Sequence, residues 1–315
     1  MKKRTLGKSG IEVSPLCLGG NVFGWTLDPQ KSFTVLDEFL AAGFEFIDTA
    51  DVYSKWVPGH EGGESEAILG RWLKERGNRK QVIVATKVGM EMGDGGKGLS
   101  RAYILREVEA SLKRLQSDYI DVYQSHQDDP NTPLEETMEA YAQLVKQGKV
   151  RAIGASNYKA ERLTEALRVS TEQRYPRYET LQPLYNLYDR EEYETQLEPA
   201  CVQHGLGVIP YFSLASGFLT GKYRSEADLA KSQRGPGVKK YLNERGFRIL
   251  SALDQVGQKY HSSPARVALG WLVARPSVTA AIASATNLDQ LNGLAEGVKL
   301  ELDEASIALL NEASR

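Results

Sequence analysis

The sequence predicts an α/β protein: a (β/α)8 TIM barrel, a single domain over residues 1–315 with a short N-terminal β-hairpin and an extra C-terminal helix. Three observations predict it. Short apolar runs alternate with longer amphipathic stretches along the chain, and repeated β-then-α order gives a parallel sheet with helical crossovers. Eight such runs can be counted, the number that closes a barrel. Polar residues suited to chemistry fall just past several of them, at the strand ends where a barrel builds its site.

The eight strands are expected at Leu16–Leu18, Phe44–Ile47, Val82–Ala85, Ile120–Tyr123, Val150–Gly154, Thr180–Leu184, Gly207–Tyr211 and Thr279–Ala283. Each is short, rich in β-branched or aromatic residues, and followed by a turn. Helices are expected at Lys31–Ala42, Glu64–Arg76, Ser100–Leu115, Ala160–Ser170, Glu191–His204 and Ala265–Ala274, with a last one from Asp303. Asp28-Pro29 and Ser263-Pro264 read as cap-then-proline starts. In Thr132-Pro133-Leu134-Glu135, Thr132 is expected to cap and Glu135 to complete a capping box. The helix that follows carries Leu134, Met138, Tyr141, Leu144 and Val145 at a period near 3.6 and stops at Gly148. A doubly wound open sheet is the rival fold. It would place G-x-G-x-x-G after the first strand, but Leu18-Gly19-Gly20-Asn21-Val22-Phe23-Gly24 has the wrong glycine spacing.

Composition narrows the function class. With 41% hydrophobic and 25% charged residues and a formal charge of −2, the chain has no bulk attraction for nucleic acid or membrane. Met1-Lys2-Lys3-Arg4 is followed by no apolar signal core, and no run approaches the ~18 apolar residues of a membrane span. A cytoplasmic protein is expected, with Cys17 and Cys201 as buried free thiols. His60, His126, His204 and His261 show no paired ligand spacing, so no metal is expected. The oligomeric state stays open.

Asp48, Tyr53, Lys87 and His126 carry the candidate chemistry. Reducing a carbonyl by hydride requires a proton donor at the oxygen as charge develops there. Tyr53 starts from a reference pKa near 10, so an adjacent ammonium, Lys87, is expected to lower it. A carboxylate, Asp48, would keep that ammonium charged, and His126 would hydrogen-bond and orient the carbonyl.

Phe46-Ile47-Asp48-Thr49-Ala50-Asp51-Val52-Tyr53, Ala85-Thr86-Lys87, Gln124-Ser125-His126 and Gly154-Ala155-Ser156-Asn157 together resemble the signatures of the aldo-keto reductase superfamily over nearly the whole chain. The resemblance implies a barrel that reduces aldehydes and ketones with NADP(H), without metal or flavin, and a small-molecule carbonyl substrate. It implies Tyr53 as general acid, tuned by Lys87 and Asp48, with His126 orienting the carbonyl. It also implies Ser156, Asn157 and Gln182 on the nicotinamide carboxamide and Tyr211 stacked on the ring.

Pro210–Tyr223 looks like the family's pyrophosphate loop, bringing in Phe212, Ser213, Leu214, Ser216, Gly217, Lys222 and Arg224. The surrounding segment Ser216–Arg245 is basic, and its two readings are a solvated loop and a flap over a polyanion. The sequence departs from the family at Ile282–Asn287. Many members hold the 2′-phosphate there with Arg or Lys, whereas this chain offers only Ser284, Thr286 and Gln290, so NAD(H) is not excluded. Leu294 stands where many relatives carry an adenine-contacting Asn. Trp25, Trp56 and Met90 are expected to line an apolar substrate mouth. The chain runs from its last helix to Arg315 without the long terminal loop of some relatives, and an open pocket is expected.

A regulatory or sensor protein on the same barrel, like channel-associated relatives, is the alternative function.

Overall fold

The computed structural model describes residues 2–315, and Met1 lies outside the described part of the expected 1–315 domain. A two-stranded antiparallel hairpin, β1 (Arg4–Thr5) and β2 (Glu12–Val13), opens the chain. Eight parallel strands follow: β3 (Leu16–Gly19), β4 (Phe46–Asp48), β5 (Ile83–Val88), β6 (Ile120–Ser125), β7 (Val150–Ser156), β8 (Tyr178–Gln182), β9 (Gly207–Val208) and β10 (Ala281–Ala283). Their order is sequential from β3 to β9, with β10 beside β3. The ring closes between β9 and the approach to β10, where the Thr279 and Ile282 amides donate to the carbonyls of Val208 and Pro210 at 2.7 and 3.0 Å. The result is the expected (β/α)8 barrel.

The crossovers are α1 (Pro29–Ala41), α2 (Glu64–Arg76), α3 (Arg101–Leu115), α4 (Leu134–Lys146), α5 (Ala160–Gln173) and α6 (Glu198–His204). Then come a single turn α7 (Gly235–Val238), α8 (Glu244–Lys259), α9 (Pro264–Val273), α10 (Leu288–Gly297) and α11 (Glu304–Ala313). Asp28 and Ser263 cap α1 and α9 as expected, their side chains accepting from the Lys31 and Arg266 amides.

Three expectations are corrected. Thr132 does not cap α4: its hydroxyl donates to Asp129 at 2.7 Å, and the cap residue is Pro133 without a side-chain bond. Asp129 folds 129–132 into its own turn and takes the hydroxyl the cap would have used. Glu191–His204 is one continuous helix, as expected, but it is not α throughout. A wider π-type turn over Tyr193–Leu197 precedes α6, where Pro199 lacks the amide that an unbroken α-helix needs. The β9 strand is shorter than Gly207–Tyr211 because Pro210 has no N–H for the ladder, although Ile209 and Tyr211 still donate to Leu181 and Pro183. Helix α8 has no counterpart among the helices expected from the sequence.

The two ends of the barrel interior differ. Leu6, Ile11 and Val13 of the hairpin region pack on Cys17, Phe46, Val122 and Ile209, an apolar plug at the amino end. Cys17 and Cys201 are both buried and unpaired. Among the described residues, no helix is long and apolar enough to cross a membrane.

Candidate active site

Strand geometry brings the four chemical side chains together. Asp48 ends β4 and Lys87 lies inside β5, one residue before its end, rather than beyond it. The chain leaving β4 stays pinned to β5, because the Thr49 and Asp51 amides donate to the carbonyls of Ala85 and Lys87. That pinned loop delivers Tyr53 over Lys87. His126 follows β6, its amide bonded to the Val88 carbonyl at 2.8 Å.

Lys87 is fully buried, with its ammonium donating to Asp48 Oδ2 at 2.6 Å, Thr49 O at 2.8 Å and Tyr53 Oη at 2.8 Å. Three acceptors match the three N–H bonds of an ammonium. Asp48 is equally well matched: Oδ1 accepts from Gln182 at 2.8 Å and Gln124 at 3.4 Å, and Oδ2 accepts from Lys87. The Tyr53 hydroxyl reaches Oδ2 only at 3.3 Å, a stretched bond easily exchanged for another acceptor.

The expected lowering of the Tyr53 pKa is not what the site does at rest. Burial of the hydroxyl, and next the Asp48 carboxylate, hold it well above the ordinary phenol value. Tyr53 therefore keeps its proton at physiological pH. Burial, with the Lys87 charge as the lesser cause, pushes His126 well below the usual imidazole range, so its ring is neutral. Its Nδ1 is buried without a partner.

Tyr53 and His126 open onto a cavity of about 1300 Å³ that continues past β9 and β10 to Leu294 on α10. That exceeds the ~300–1,000 Å³ of an ordinary small-molecule pocket. Ser156, Asn157, Gln182, Tyr211, Phe212, Ser213, Leu214, Ser216, Gly217, Lys222, Ser284, Thr286 and Gln290 all line it, as do Trp56 and Met90. Asp48 and Lys87 stand behind the wall.

Several lining groups are bonded to one another. Asn157 donates to the His126 carbonyl at 2.9 Å and accepts from the Tyr211 hydroxyl at 2.8 Å, while Ser156 donates to Gln182 O at 2.9 Å. Phe212, Ala215, Ser216 and Gly217 all have φ between 47° and 98°, and three of the four are not glycine. Such a run of left-handed backbone costs of order 1–3 kcal/mol per non-glycine residue and marks a loop shaped for a ligand. At the facing strand end Gly19 leaves room for Ser284, whose hydroxyl would sit 2.6 Å from an added Cβ.

Two expected residues are elsewhere. Arg224 does not line the cavity: its fork is spent on Asp254, with both bonds 2.8 Å. Trp25 stands one layer back, lining a separate groove with His60 and Glu64 and meeting Trp56 edge-on at 5.7 Å.

In place of Arg224, the basic segment presents Lys231 and Arg234. Ser216–Arg245 is folded into short helical turns along the cavity, and most of its cations are matched, as in Lys231–Asp228 and Lys239–Glu226. Lys222 and Arg234 have no carboxylate partner among the described residues. Arg234 lies 5.4 Å over the Trp25 ring, and its Nη2 is buried without an acceptor. An orphaned guanidinium, an ammonium without a carboxylate partner and a left-handed loop on one elongated cavity fit a long, phosphate-bearing ligand such as a dinucleotide. Asn21, Val22, Gln127 and Arg266 also line the cavity and were missed in the sequence. Only proximity in the fold identifies them, because they belong to no motif.

The Aldo/keto reductase family model matches residues 15–315. The chain belongs to the aldo/keto reductase family. It is 36% identical to the uncharacterized oxidoreductase YrpG of Bacillus subtilis, covering 99% of this chain and 95% of that one. It is 35% identical to the aldo-keto reductase YhdN of the same organism, over 94% and 88% of the two chains. A probable voltage-gated potassium channel subunit beta of Arabidopsis thaliana is 33% identical over 92% and 89%. Membership makes the chain an oxidoreductase of the carbonyl-reducing kind, in a family whose cofactors are nicotinamide nucleotides.

Proposed function

We propose that the protein reduces an aldehyde or ketone to the alcohol with NADP(H), Tyr53 serving as general acid. The observation that carries this reading is the chain of contacts Asp48–Lys87–Tyr53, 2.6 and 2.8 Å long, in the wall of a cavity that fits a dinucleotide. When bound, the nucleotide supplies the hydride that reduces the carbonyl carbon.

The residues do the rest. Tyr53, protonated at rest, releases its stretched bond to Asp48 and donates to the carbonyl oxygen, where negative charge develops. The phenolate left behind is stabilised by the Lys87 ammonium already 2.8 Å away. Asp48 pairs with that ammonium at 2.6 Å, both side chains being out of water. Neutral His126, with its proton on Nε2, donates a second hydrogen bond to the carbonyl and fixes its direction. Ser156, Asn157 and Gln182 would hold the carboxamide, the first two once their present bonds open and Gln182 with its Nε2 still on Asp48, Tyr211 would stack on the ring, and Lys222 and Arg234 would meet the phosphates. Trp56, 48% exposed, and Met90 would form an apolar substrate wall. The buried free thiols Cys17 and Cys201 support a reducing, cytoplasmic setting.

The test is nucleotide oxidation with a panel of aldehydes and ketones. In Tyr53→Phe, kcat should fall by about 10²–10⁴ while nucleotide affinity survives. Retained turnover in the variant would refute Tyr53 as the acid. The likeness to a channel subunit favours a second reading, a nucleotide-binding partner protein. Tight nucleotide binding without turnover of any carbonyl would select it.

A further inference from the structure

We propose that Arg266, on α9, selects a nucleotide carrying a 2′-phosphate. The inference rests on the nucleotide reading above and supplies the cation that the segment Ile282–Asn287 lacks. That segment is also largely self-engaged. Ser284 donates to Asn21 at 2.7 Å, the Thr286 amide and hydroxyl both go to Gln290 Oε1, and Asn287 caps α10 through the Gln290 amide.

Arg266 reaches the same end of the cavity from a neighbouring helix. Helices α9 and α10 are in close contact: a Cβ on Gly297 would sit 3.0 Å from Arg266 Cα. One turn earlier Gly293 has no side chain, and Arg266 Nε lies 4.0 Å from where its Cβ would be. The guanidinium thus rests on a bare patch of α10, lining the cavity beside Thr286, Gln290 and Leu294. Its Nη2 pairs with Glu296 at 2.6 Å, and the two side chains are 34% and 58% exposed. Such a solvent-accessible pair is weak and readily exchanged. Nε and Nη1 have no partner among the described residues, leaving a fork suited to a phosphate dianion.

Asp289 lines the same end and carries the opposite preference, since a carboxylate there suits the free hydroxyls of an unphosphorylated ribose. Arg266 and Asp289 therefore set the choice between them.

The experiment is calorimetric titration of the full chain with NADPH and with NADH, for wild type, Arg266→Gln, Arg266→Lys and Glu296→Gln. Arg266→Gln should weaken NADPH at least about tenfold and leave NADH within about twofold. Arg266→Lys should recover part of the loss, and Glu296→Gln should tighten NADPH. Equal changes for both nucleotides, no change in Arg266→Gln, or a wild type that prefers NADH each overturns the assignment. A wild type that binds neither nucleotide overturns the nucleotide reading and this assignment with it.

Discussion

The two ends of one barrel interior are built on opposite principles. At the amino end Ile11 and Val13 close the barrel with apolar side chains that need only to be excluded from water. At the carboxyl end Asp48 and Lys87, equally buried, persist only because donors and acceptors are matched around both. Burial at the first end is favourable by itself. At the second it is tolerable only as a completed network, and that conditional stability is what leaves a charged group poised for chemistry.

Breaking the network tests the contrast most strongly. Lys87→Met leaves Asp48 as an unpaired buried carboxylate, and about 3–5 kcal/mol of stability should be lost along with carbonyl reduction. Denaturant unfolding and the carbonyl assay check both, and adding Asp48→Asn should return part of the stability but none of the activity. Ile11→Ala at the other end should cost about 2–5 kcal/mol through its cavity while kcat stays near wild type. Loss of turnover in a folded Ile11→Ala protein would show that the ends are not independent.

Along the cavity, Arg234→Ala should weaken nucleotide binding about tenfold, through loss of a charge-assisted bond. Arg224→Ala should leave affinity unchanged, because that fork serves Asp254. Its stability cost should stay below about 1 kcal/mol, as for exposed ion pairs.

His126 gives the subtler pH effect. Its folded pKa is depressed below 6.5, so below pH 6.5 the unfolded chain binds a proton that the fold does not. Stability should therefore fall as pH drops through 6.5 towards the lower folded value, by up to about 1.4 kcal/mol per unit. Tm measured from about pH 7.5 to about pH 5.5 should show a shallower slope in His126→Asn.

Strand ends were legible because a short β-branched run followed by a turn is a local signal, and Asp48, Tyr53 and His126 followed from it. The sequence puts Asp48 and Lys87 just past their strands, whereas Asp48 is the last residue of β4 and β5 extends through Val88 once β6 pairs with it. The capping box at Thr132 failed because Asp129, a local competitor, offers a better acceptor. Arg224, Arg234 and Arg266 could not be told apart as cavity residues in the sequence. All carry the same charge, and what separates them is whether Asp254, Glu296 or no carboxylate lies opposite.

By itself the sequence determined the order of strands and helices, the residue types at the strand ends and the family they resemble, because periodicity and short motifs are properties of neighbours along the chain. Only the tertiary structure decided which charges are spent and which remain available. Asp48 meets Gln182 across 134 positions and Arg4 meets Val278 across 274, and such partners are chosen by barrel closure. The resting protonation of Tyr53 and His126 was decided there too, since desolvation depends on everything packed around a group.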